Sequence, residues 1–405
     1  MKVCESLHHH LLASELSETG VGNMLPVGQT TVTLKANAAK TCALAEELAT
    51  DTHAAHLHLV FHCGDKGAEA LGAALKVNSS LRSLHMQCNK VKKGISALSD
   101  GIRHNRGLLL LDLGGNELGD EGGVQLAAAL AVNTTLISLG VQGCALGEAA
   151  VTAMAATLKS NRTLECINFG MAAMGPNGMI ALADALKNNS TLKHLCCDTV
   201  EFEAVPGHAG PLAGHYVVGV EALQALASAL EVNTGLVSLH LKSSRLGDEG
   251  YEAFGSALRV NRTLRTLDIG WHLTSRGCAA LAAAMEQNTS LYIFKFSGVD
   301  GLAEADTAPI AASCQRNEEA LIAAQKAGES PRIDSMASCF NWMRAFPLLR
   351  SHLEAASAAS AASAASTSAS ASKETGQGAG KKRAGETQTK PPAGKAASKK
   401  AKAKK

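Results

Sequence analysis

Residues 108–136 read LLLLDLGGNELGDEGGVQLAAALAVNTTL, a segment in which two hydrophobic spacings follow one another. Leu111 and Leu113 alternate with other residues, as in a short β-strand that buries one face. Leu126 and Leu130 lie four residues apart, which places both on one side of a helix. The segment therefore predicts a strand, a turn and a helix, with Leu111, Leu126 and Leu130 fully buried.

The same unit recurs along the chain, and each copy contains an asparagine at the predicted end of its helix. Successive asparagines are 27 to 29 residues apart except for one step of 44, and they are Asn78, Asn105, Asn133, Asn161, Asn189, Asn233, Asn261, Asn288 and Asn317. A unit of this length cannot bury its apolar face alone, so copies must stack. Residues 30–320 are therefore expected to form one right-handed α/β solenoid, with about ten parallel strands on its concave side and helices on its convex side.

The motif Asp-x-Gly opens several of the predicted helices, at Asp65, Asp120 and Asp248. A carboxylate at the start of a helix accepts hydrogen bonds from N–H groups that have no partner within the helix. Each of these aspartates is therefore expected to cap the first turn of its own helix.

Two of the repeats, residues 108–136 and the segment LVSLHLKSSRLGDEGYEAFGSALRVNRTL at residues 236–264, resemble leucine-rich repeats of the ribonuclease-inhibitor type. Such repeats also occur in nucleotide-binding innate-immune receptors and in the GTPase-activating protein for Ran. The resemblance covers roughly residues 30–320 and implies a horseshoe that binds a protein partner on its concave face. The sequence contains no G-x-x-x-x-G-K-[ST] motif, so no nucleotide-binding module is expected beside the repeats.

If the strand leucines point into the core, the residues between them face the concave surface. The partner-binding residues are therefore expected to be His58, His85, Asp112, Asn168, Asp198, His240, Lys242, Asp268, Trp271 and Lys295. Trp271 is the leading contact candidate, because tryptophan is enriched at binding hot spots. The alternatives are a solvated face without a partner and, for Trp271, packing against the next repeat.

An insertion of 16 residues explains the single long step between Asn189 and Asn233. It covers about residues 201–218, and its two Pro and three Gly indicate an irregular loop on one rim. Long loops of this kind often carry recognition residues. The candidates here are Phe202, His208, His215 and Tyr216, and a neutral insertion is the alternative.

The charge of the 405-residue chain is unevenly distributed, although its net value is only +2. Residues 373–405 contain 11 Lys or Arg and 2 Asp or Glu, so the remaining sequence is acidic. These residues follow an Ala/Ser-rich linker, and residues 355–405 as a whole are expected to be disordered. The tail predicts electrostatic tethering, nuclear targeting, or weak and non-specific binding to nucleic acid or another acidic surface. Its basic residues include Lys381, Lys382, Arg383, Lys399, Lys400, Lys402, Lys404 and Lys405.

Two further segments flank the repeats. Residues 1–29 are assigned to an N-terminal segment. After Asn317, residues 319–327 are expected to continue as helix rather than strand, and residues 321–354 are assigned to a helical cap over the end of the solenoid. Large apolar residues between Phe340 and Leu353 either cover the open core or bind a partner.

The sequence also limits where the protein functions. It has no apolar run typical of a signal peptide, and none reaches the roughly 18 residues of a membrane span. Its 11 cysteines are expected to stay reduced. An intracellular location, cytoplasmic or nuclear and without membrane attachment, is therefore expected.

The histidines near the first strands, His53, His56, His58 and His62, suggest a metal site, but no cysteine or carboxylate lies at zinc-ligand spacing. No metal or other cofactor is therefore expected. No nucleophile–base pair or paired-carboxylate motif is recognised, which favours a non-enzymatic scaffold without a small-molecule substrate. The alternatives are a GTPase-activating protein of the Ran-activator type and a nucleic-acid-associated protein that binds through its tail.

Overall fold

The structure is a computed structural model, and it describes residues 30–35, 37–60, 62–198, 219–271, 273–295 and 302–327. The side chains of residues 243–245, 270 and 271 are not described. The N-terminal segment 1–29, the insertion at 201–218, the part of the expected cap after residue 327 and the tail 355–405 all lie outside these ranges.

Ten strands alternate with ten helices within the described ranges. The strands are β1 (Thr31–Lys35), β2 (His56–Val60), β3 (Ser83–His85), β4 (Leu110–Asp112), β5 (Ser138–Gly140), β6 (Cys166–Asn168), β7 (His194–Cys196), β8 (Ser238–Arg245), β9 (Thr266–Trp271) and β10 (Ile293–Lys295). The helices are α1 (Ala38–Thr50), α2 (Gly64–Leu75), α3 (Ile95–His104), α4 (Gly119–Leu130), α5 (Glu148–Leu158), α6 (Gly175–Asn188), α7 (Val220–Val232), α8 (Gly247–Val260), α9 (Ser275–Gln287) and α10 (Glu304–Lys326).

The strands form one open, parallel sheet in the order of the sequence, from β1 to β10. This architecture confirms the predicted α/β solenoid, and the repeat period places the strands correctly. One continuous core runs between the sheet and the helices, and Leu111, Leu126 and Leu130 are 0% exposed within it. Because every repeat contributes the same buried positions, each unit shields the apolar face of its neighbour.

Small residues let neighbouring helices approach closely. A Cβ atom added to Gly72 in α2 would lie 2.3 Å from the carbonyl oxygen of Ala97 in α3. A Cβ atom on Gly101 in α3 would lie 2.4 Å from the carbonyl oxygen of Gly72. The close packing of α2 and α3 therefore requires glycine on both helices.

The recurring asparagines form a ladder of buried hydrogen bonds between repeats, here named the asparagine ladder. Asn161 is typical: its Nδ2 donates to the carbonyl oxygens of Leu130 at 3.0 Å and Asn133 at 3.4 Å. Its Oδ1 accepts from the backbone N–H of Leu164 at 2.9 Å. Each asparagine up to Asn288 thus satisfies backbone groups at the end of the preceding helix and just before the strand that follows it.

Asn317 does not end its helix, because α10 continues to Lys326, in agreement with the helix predicted for residues 319–327. At this last repeat Arg316 replaces the asparagine, and its Nη2 donates to the carbonyl oxygens of Met285 at 2.9 Å and Asn288 at 2.8 Å. Asn317 instead donates to the carbonyl oxygens of Asn288 and Leu291. The helix continues through residues that correspond in spacing to a strand in the earlier repeats.

The expectation for the Asp-x-Gly motif is wrong for Asp65 and Asp120, because these two aspartates cap the next helix and not their own. The N-terminus of α2 has no side-chain cap, and Asp65 Oδ1 accepts from the N–H groups of Lys92 at 2.7 Å and Gly94 at 2.8 Å, just before α3. Asp120 in α4 likewise accepts from Gly147 and Ala150 at the start of α5, both at 2.9 Å. An aspartate in the first turn points sideways to the neighbouring helix N-terminus, which attracts negative charge.

Candidate functional site: the concave face

The parallel register aligns the predicted binding residues in one row across the sheet, here named the central row. His58 pairs with His85, His85 with Asp112, and the series continues through Gly140, Asn168, Cys196, His240 and Asp268 to Lys295. Asp198 and Lys242 lie two residues beyond the row, after β7 and within β8. The sequence period therefore determines which side chains are neighbours on the concave face.

Most side chains of the central row are buried by their neighbours. Exposure is 7% for His85, 1% for Asp112, 6% for Asn168, 1% for His240 and 9% for Asp268, and it is 5% for Asp198 beside the row. His58 and Lys242 are half-buried, whereas Lys295 on the last strand is exposed. Strands about 4.8 Å apart bring side chains of one row into mutual contact, so facing the concave side does not by itself expose a residue.

Histidines dominate the first strands of the concave face. The rings of His58 and His85 stack with their centroids 4.1 Å apart and an interplanar angle of 12°, and His56 Nδ1 lies 2.9 Å from the Ser83 hydroxyl. Burial lowers the pKa of His58 to about 4, with a further contribution from the adjacent His56. Burial also lowers the pKa of His85 well below its usual range. These rings are therefore neutral at physiological pH.

A hydrogen-bonded carboxylate occupies the middle of the sheet. Asp112 accepts from the backbone N–H of Gly114 at 3.0 Å, from Gln142 Nε2 at 3.3 Å and from Gln87 Nε2. Burial raises the pKa of the Asp112 carboxyl, and these three donors oppose the shift. A Cβ on Gly140 would lie 2.7 Å from Asp112 Oδ1, so a glycine is needed where this network crosses β5.

The last strands carry a second buried polar group. Asp198 Oδ1 accepts from the backbone N–H of Lys242 at 2.7 Å, and burial raises the pKa of its carboxyl. His240 is hydrogen-bonded through Nε2 to the Ser238 hydroxyl at 2.9 Å, and its Nδ1 lies 3.8 Å from Asp268 Oδ2. On β7, burial lowers the pKa of His194 to about 4. Both ends of the sheet thus bury imidazoles beside other polar groups.

The remaining predicted residues are not brought together by the described structure. Trp271 ends β9, but its side chain is not described. The rim residues Phe202, His208, His215 and Tyr216 and all of the basic tail residues lie outside the described ranges. Within those ranges no group of three or more His, Cys, Asp or Glu could hold a metal ion, the histidines around His56 included.

Sequence reasoning missed a second hydrogen-bond ladder, at the opposite ends of the strands. Asn89 Nδ2 donates to the carbonyl oxygen of Leu59 at 2.9 Å, and Asn116 Nδ2 donates to that of Met86 at 2.8 Å. In the next repeat Cys144 Sγ takes the corresponding place, 3.1 Å from the carbonyl oxygen of Leu113. Their spacing of 27 and 28 residues is the signal that could have revealed them, but the residue type changes along the column.

The family profile described as leucine-rich repeat matches residues 104–127, 160–183 and 232–255. No curated protein sequence matches the chain. No helix among the described residues is both long and apolar enough to cross a membrane.

Solved structures similar to this chain include a bacterial protein and a nematode domain. The leucine-rich repeat-containing protein LegL7 from Legionella pneumophila is 16% identical, with a TM-score of 0.42 over 73% of this chain and 92% of LegL7. The tropomodulin C-terminal domain from Caenorhabditis elegans is 14% identical, with a TM-score of 0.32 over 41% of this chain and 92% of that domain. These scores are too low to support a functional comparison. The three profile matches fall within the ten-stranded parallel solenoid, and together they identify the chain as a leucine-rich-repeat protein.

Proposed function

We propose that the chain is a non-enzymatic scaffold that holds a protein partner on its concave face. The observation that carries the proposal is the row of aligned side chains on one continuous parallel sheet, from His58 on β2 to Lys295 on β10. Extended surfaces of this kind are the usual binding faces of solenoids. Leucine-rich repeats are typically non-enzymatic, which supports the same interpretation.

The burial of the central row refines how a partner would be recognised. Buried members such as Asp112 hold the half-buried Gln87 and Gln142 in position through hydrogen bonds. Groups fixed before binding lose little conformational entropy when a partner arrives. We therefore propose that the half-buried and exposed residues, with Lys242 and Lys295 among them, make the contacts, and that the buried residues orient them.

A matched pair of triple variants tests this proposal. The concave variant combines three substitutions on that face: Gly170→Arg, Lys242→Glu and Lys295→Glu. A Cβ atom added at Gly170 would lie 3.1 Å from Asn168 Oδ1, and the next nearest atoms are 3.5 Å or more away. Ala128→Arg, Lys40→Glu and Lys66→Glu introduce the same side chains at exposed helical positions. Proteins captured from cell extract by the parent should be retained by the helical variant and lost by the concave variant.

Quantitative mass spectrometry of the three captures measures this difference. Thermal melting of each variant is the control for folding. A set of captured proteins that is identical for parent and concave variant would contradict concave-face binding.

We further propose that the basic tail tethers the protein electrostatically to an acidic surface or directs it to the nucleus. The 11 Lys or Arg among residues 373–405 support this role, and they also favour a second candidate function, weak association with nucleic acid. Residues 373–405 contain no aromatic residue to stack on a base, so such binding should not depend on sequence.

Titration with nucleic acid at two salt concentrations tests the tail. If the tail neutralises Z phosphates, the slope of log affinity against log salt should be about −0.7Z to −0.9Z. Truncation after Glu354 should abolish binding. Equal affinity of the truncated and full-length chains would show that the solenoid, and not the tail, binds nucleic acid.

A further inference from the structure

The last residues of the helices and the loops that join each helix to the following strand form one rim of the solenoid, here named the helix-exit rim. It consists of residues 49–55, 76–82, 103–109, 131–137, 159–165, 187–193, 231–237, 259–265 and 286–292. These loops lie side by side because the strands that they enter are consecutive neighbours in one parallel sheet.

The helix-exit rim is basic, in contrast to the rest of the solenoid. It contains 11 Lys or Arg and 4 Asp or Glu, and none of these charged residues is buried. The other described residues contain 12 Lys or Arg and 21 Asp or Glu. The basic rim residues are Lys76, Arg82, Arg103, Arg106, Lys159, Arg162, Lys187, Lys193, Arg259, Arg262 and Arg265.

Part of this basic character has a local explanation. Cations in the last turn of a helix interact favourably with its carbonyl end, and this accounts for residues such as Lys187 and Arg259. It does not account for Arg82, Lys193 and Arg265, which follow the helix by several residues and directly precede a strand. The positive charge therefore extends beyond the helix ends.

Several guanidinium groups of the rim are held in a fixed orientation. Arg82 Nη1 donates to the carbonyl oxygens of Ser79 at 2.7 Å and Gly107 at 2.9 Å, and so connects two repeats. Arg265 Nη1 likewise donates to the carbonyl oxygens of Arg262 at 3.2 Å and Ser290 at 3.1 Å. A guanidinium has five N–H donors, so each group keeps further donors while its orientation is fixed.

We propose that the helix-exit rim is a docking surface for an acidic polypeptide segment. Oriented guanidinium groups bind carboxylates through paired, charge-assisted hydrogen bonds, and fixing them in advance reduces the entropy lost on binding. The rim contains one Phe, Tyr or Trp residue, Tyr292. Proteins that bind single-stranded nucleic acid in a groove combine basic residues with a series of aromatic platforms, so the rim favours a polypeptide. This surface is separate from the central row and does not depend on the proposed concave-face function.

The test uses the full chain, so that the basic tail contributes equally to every measurement. Arg106→Glu, Lys187→Glu and Arg259→Glu change three exposed rim residues, and Lys40→Glu, Lys66→Glu and Lys92→Glu make the same change in charge at exposed positions outside the rim. The probe is a fluorescent Glu-rich peptide, titrated at physiological salt, where charges beyond about 8 Å are largely screened. The rim variant should bind the peptide at least about tenfold more weakly than the parent, and the control variant within about twofold.

Equal loss of peptide affinity in the rim and control variants would overturn the proposal. It would show that acidic substitutions weaken peptide binding wherever they lie on the surface. A parent chain that binds single-stranded RNA of equal charge more tightly than the peptide, with the same dependence on rim residues, would overturn the choice of a polypeptide. The corresponding Gln variants, which place no negative charge at helix C-termini, repeat the test if the Glu rim variant does not fold.

Discussion

Replacing Asn189 with alanine should lower the free energy of unfolding by about 3–5 kcal/mol. Asn189 Nδ2 donates to the carbonyl oxygens of Leu158 at 2.8 Å and Asn161 at 3.2 Å, and its Oδ1 accepts from the N–H groups of Thr191 and Leu192. Alanine would leave the N–H groups of Thr191 and Leu192 without their partner in a site that is 2% exposed. The carbonyl oxygens of Leu158 and Asn161 would keep only Arg162 Nη1, at 3.5 Å and 3.0 Å. A buried polar group without a partner costs about 1–3 kcal/mol.

The preceding residue provides a matched control. Asn188 is the last residue of α6 and is exposed, so Asn188→Ala removes the same side chain from solvent-facing surface. Its unfolding free energy should stay within about 0.5 kcal/mol of the parent. Denaturant unfolding followed by circular dichroism measures both variants. Similar values for Asn188→Ala and Asn189→Ala would show that the asparagine ladder does not stabilise the fold.

Acidification from pH 7.5 to pH 5.0 should destabilise the chain by several kcal/mol, through the buried histidines. Burial lowers the pKa of both His58 and His194 from 6.5 to about 4. The unfolded chain therefore binds protons at a higher pH than the folded chain. The stabilisation from each neutral ring is complete above about pH 6.5 and is lost as the pH falls toward 4, which amounts to about 2 kcal/mol per ring by pH 5.0.

Two carboxyls act in the opposite direction. Burial raises the pKa of Asp112 and Asp198, so the folded chain gains protons before the unfolded chain and is stabilised as the pH falls. The pKa values of His56 and His85 are also lowered by burial, which adds to the effect of His58 and His194. With four rings opposed to two carboxyls, the net result in this range is destabilisation.

The double variant His58→Gln/His194→Gln isolates the contribution of the two rings. Between pH 7.5 and pH 5.0, the parent should lose about 4 kcal/mol more unfolding free energy than this variant loses. Asn168→Ser changes another residue of the central row without removing a titrating group. Its effect on the unfolding free energy should therefore be the same at both pH values. A double variant that keeps the full pH dependence of the parent would assign that dependence to other groups.

The sequence predicted those features that depend on one repeat at a time. The spacing of Leu126 and Leu130 and the alternation around Leu111 identified a helix and a strand, and both were confirmed. The parallel register followed from stacking identical units. These features depend on local periodicity, which a single sequence displays directly.

Contacts between two repeats could not be predicted from local periodicity. Asp120 occupies a position that suits a cap of its own helix, but its acceptor oxygen reaches the N–H groups of the next one. Alternation placed Asp112 and His240 on the concave face, yet their burial depends on the size and hydrogen bonds of residues in the neighbouring repeats. Such contacts become visible only when neighbouring repeats are placed together.

The asparagine ladder also limits how such a chain can change length. Asn233 donates to the carbonyl oxygens of Leu186 and Asn189, just as every earlier member reaches one repeat back, although 44 residues separate it from Asn189. Extra residues between strand and helix therefore leave the connection between successive units intact. Gain or loss of a complete unit preserves the same donor–acceptor pattern, whereas an insertion between a helix end and its asparagine breaks it. A lineage of such proteins would be expected to grow in whole units and to diversify on the rim where the extra residues enter.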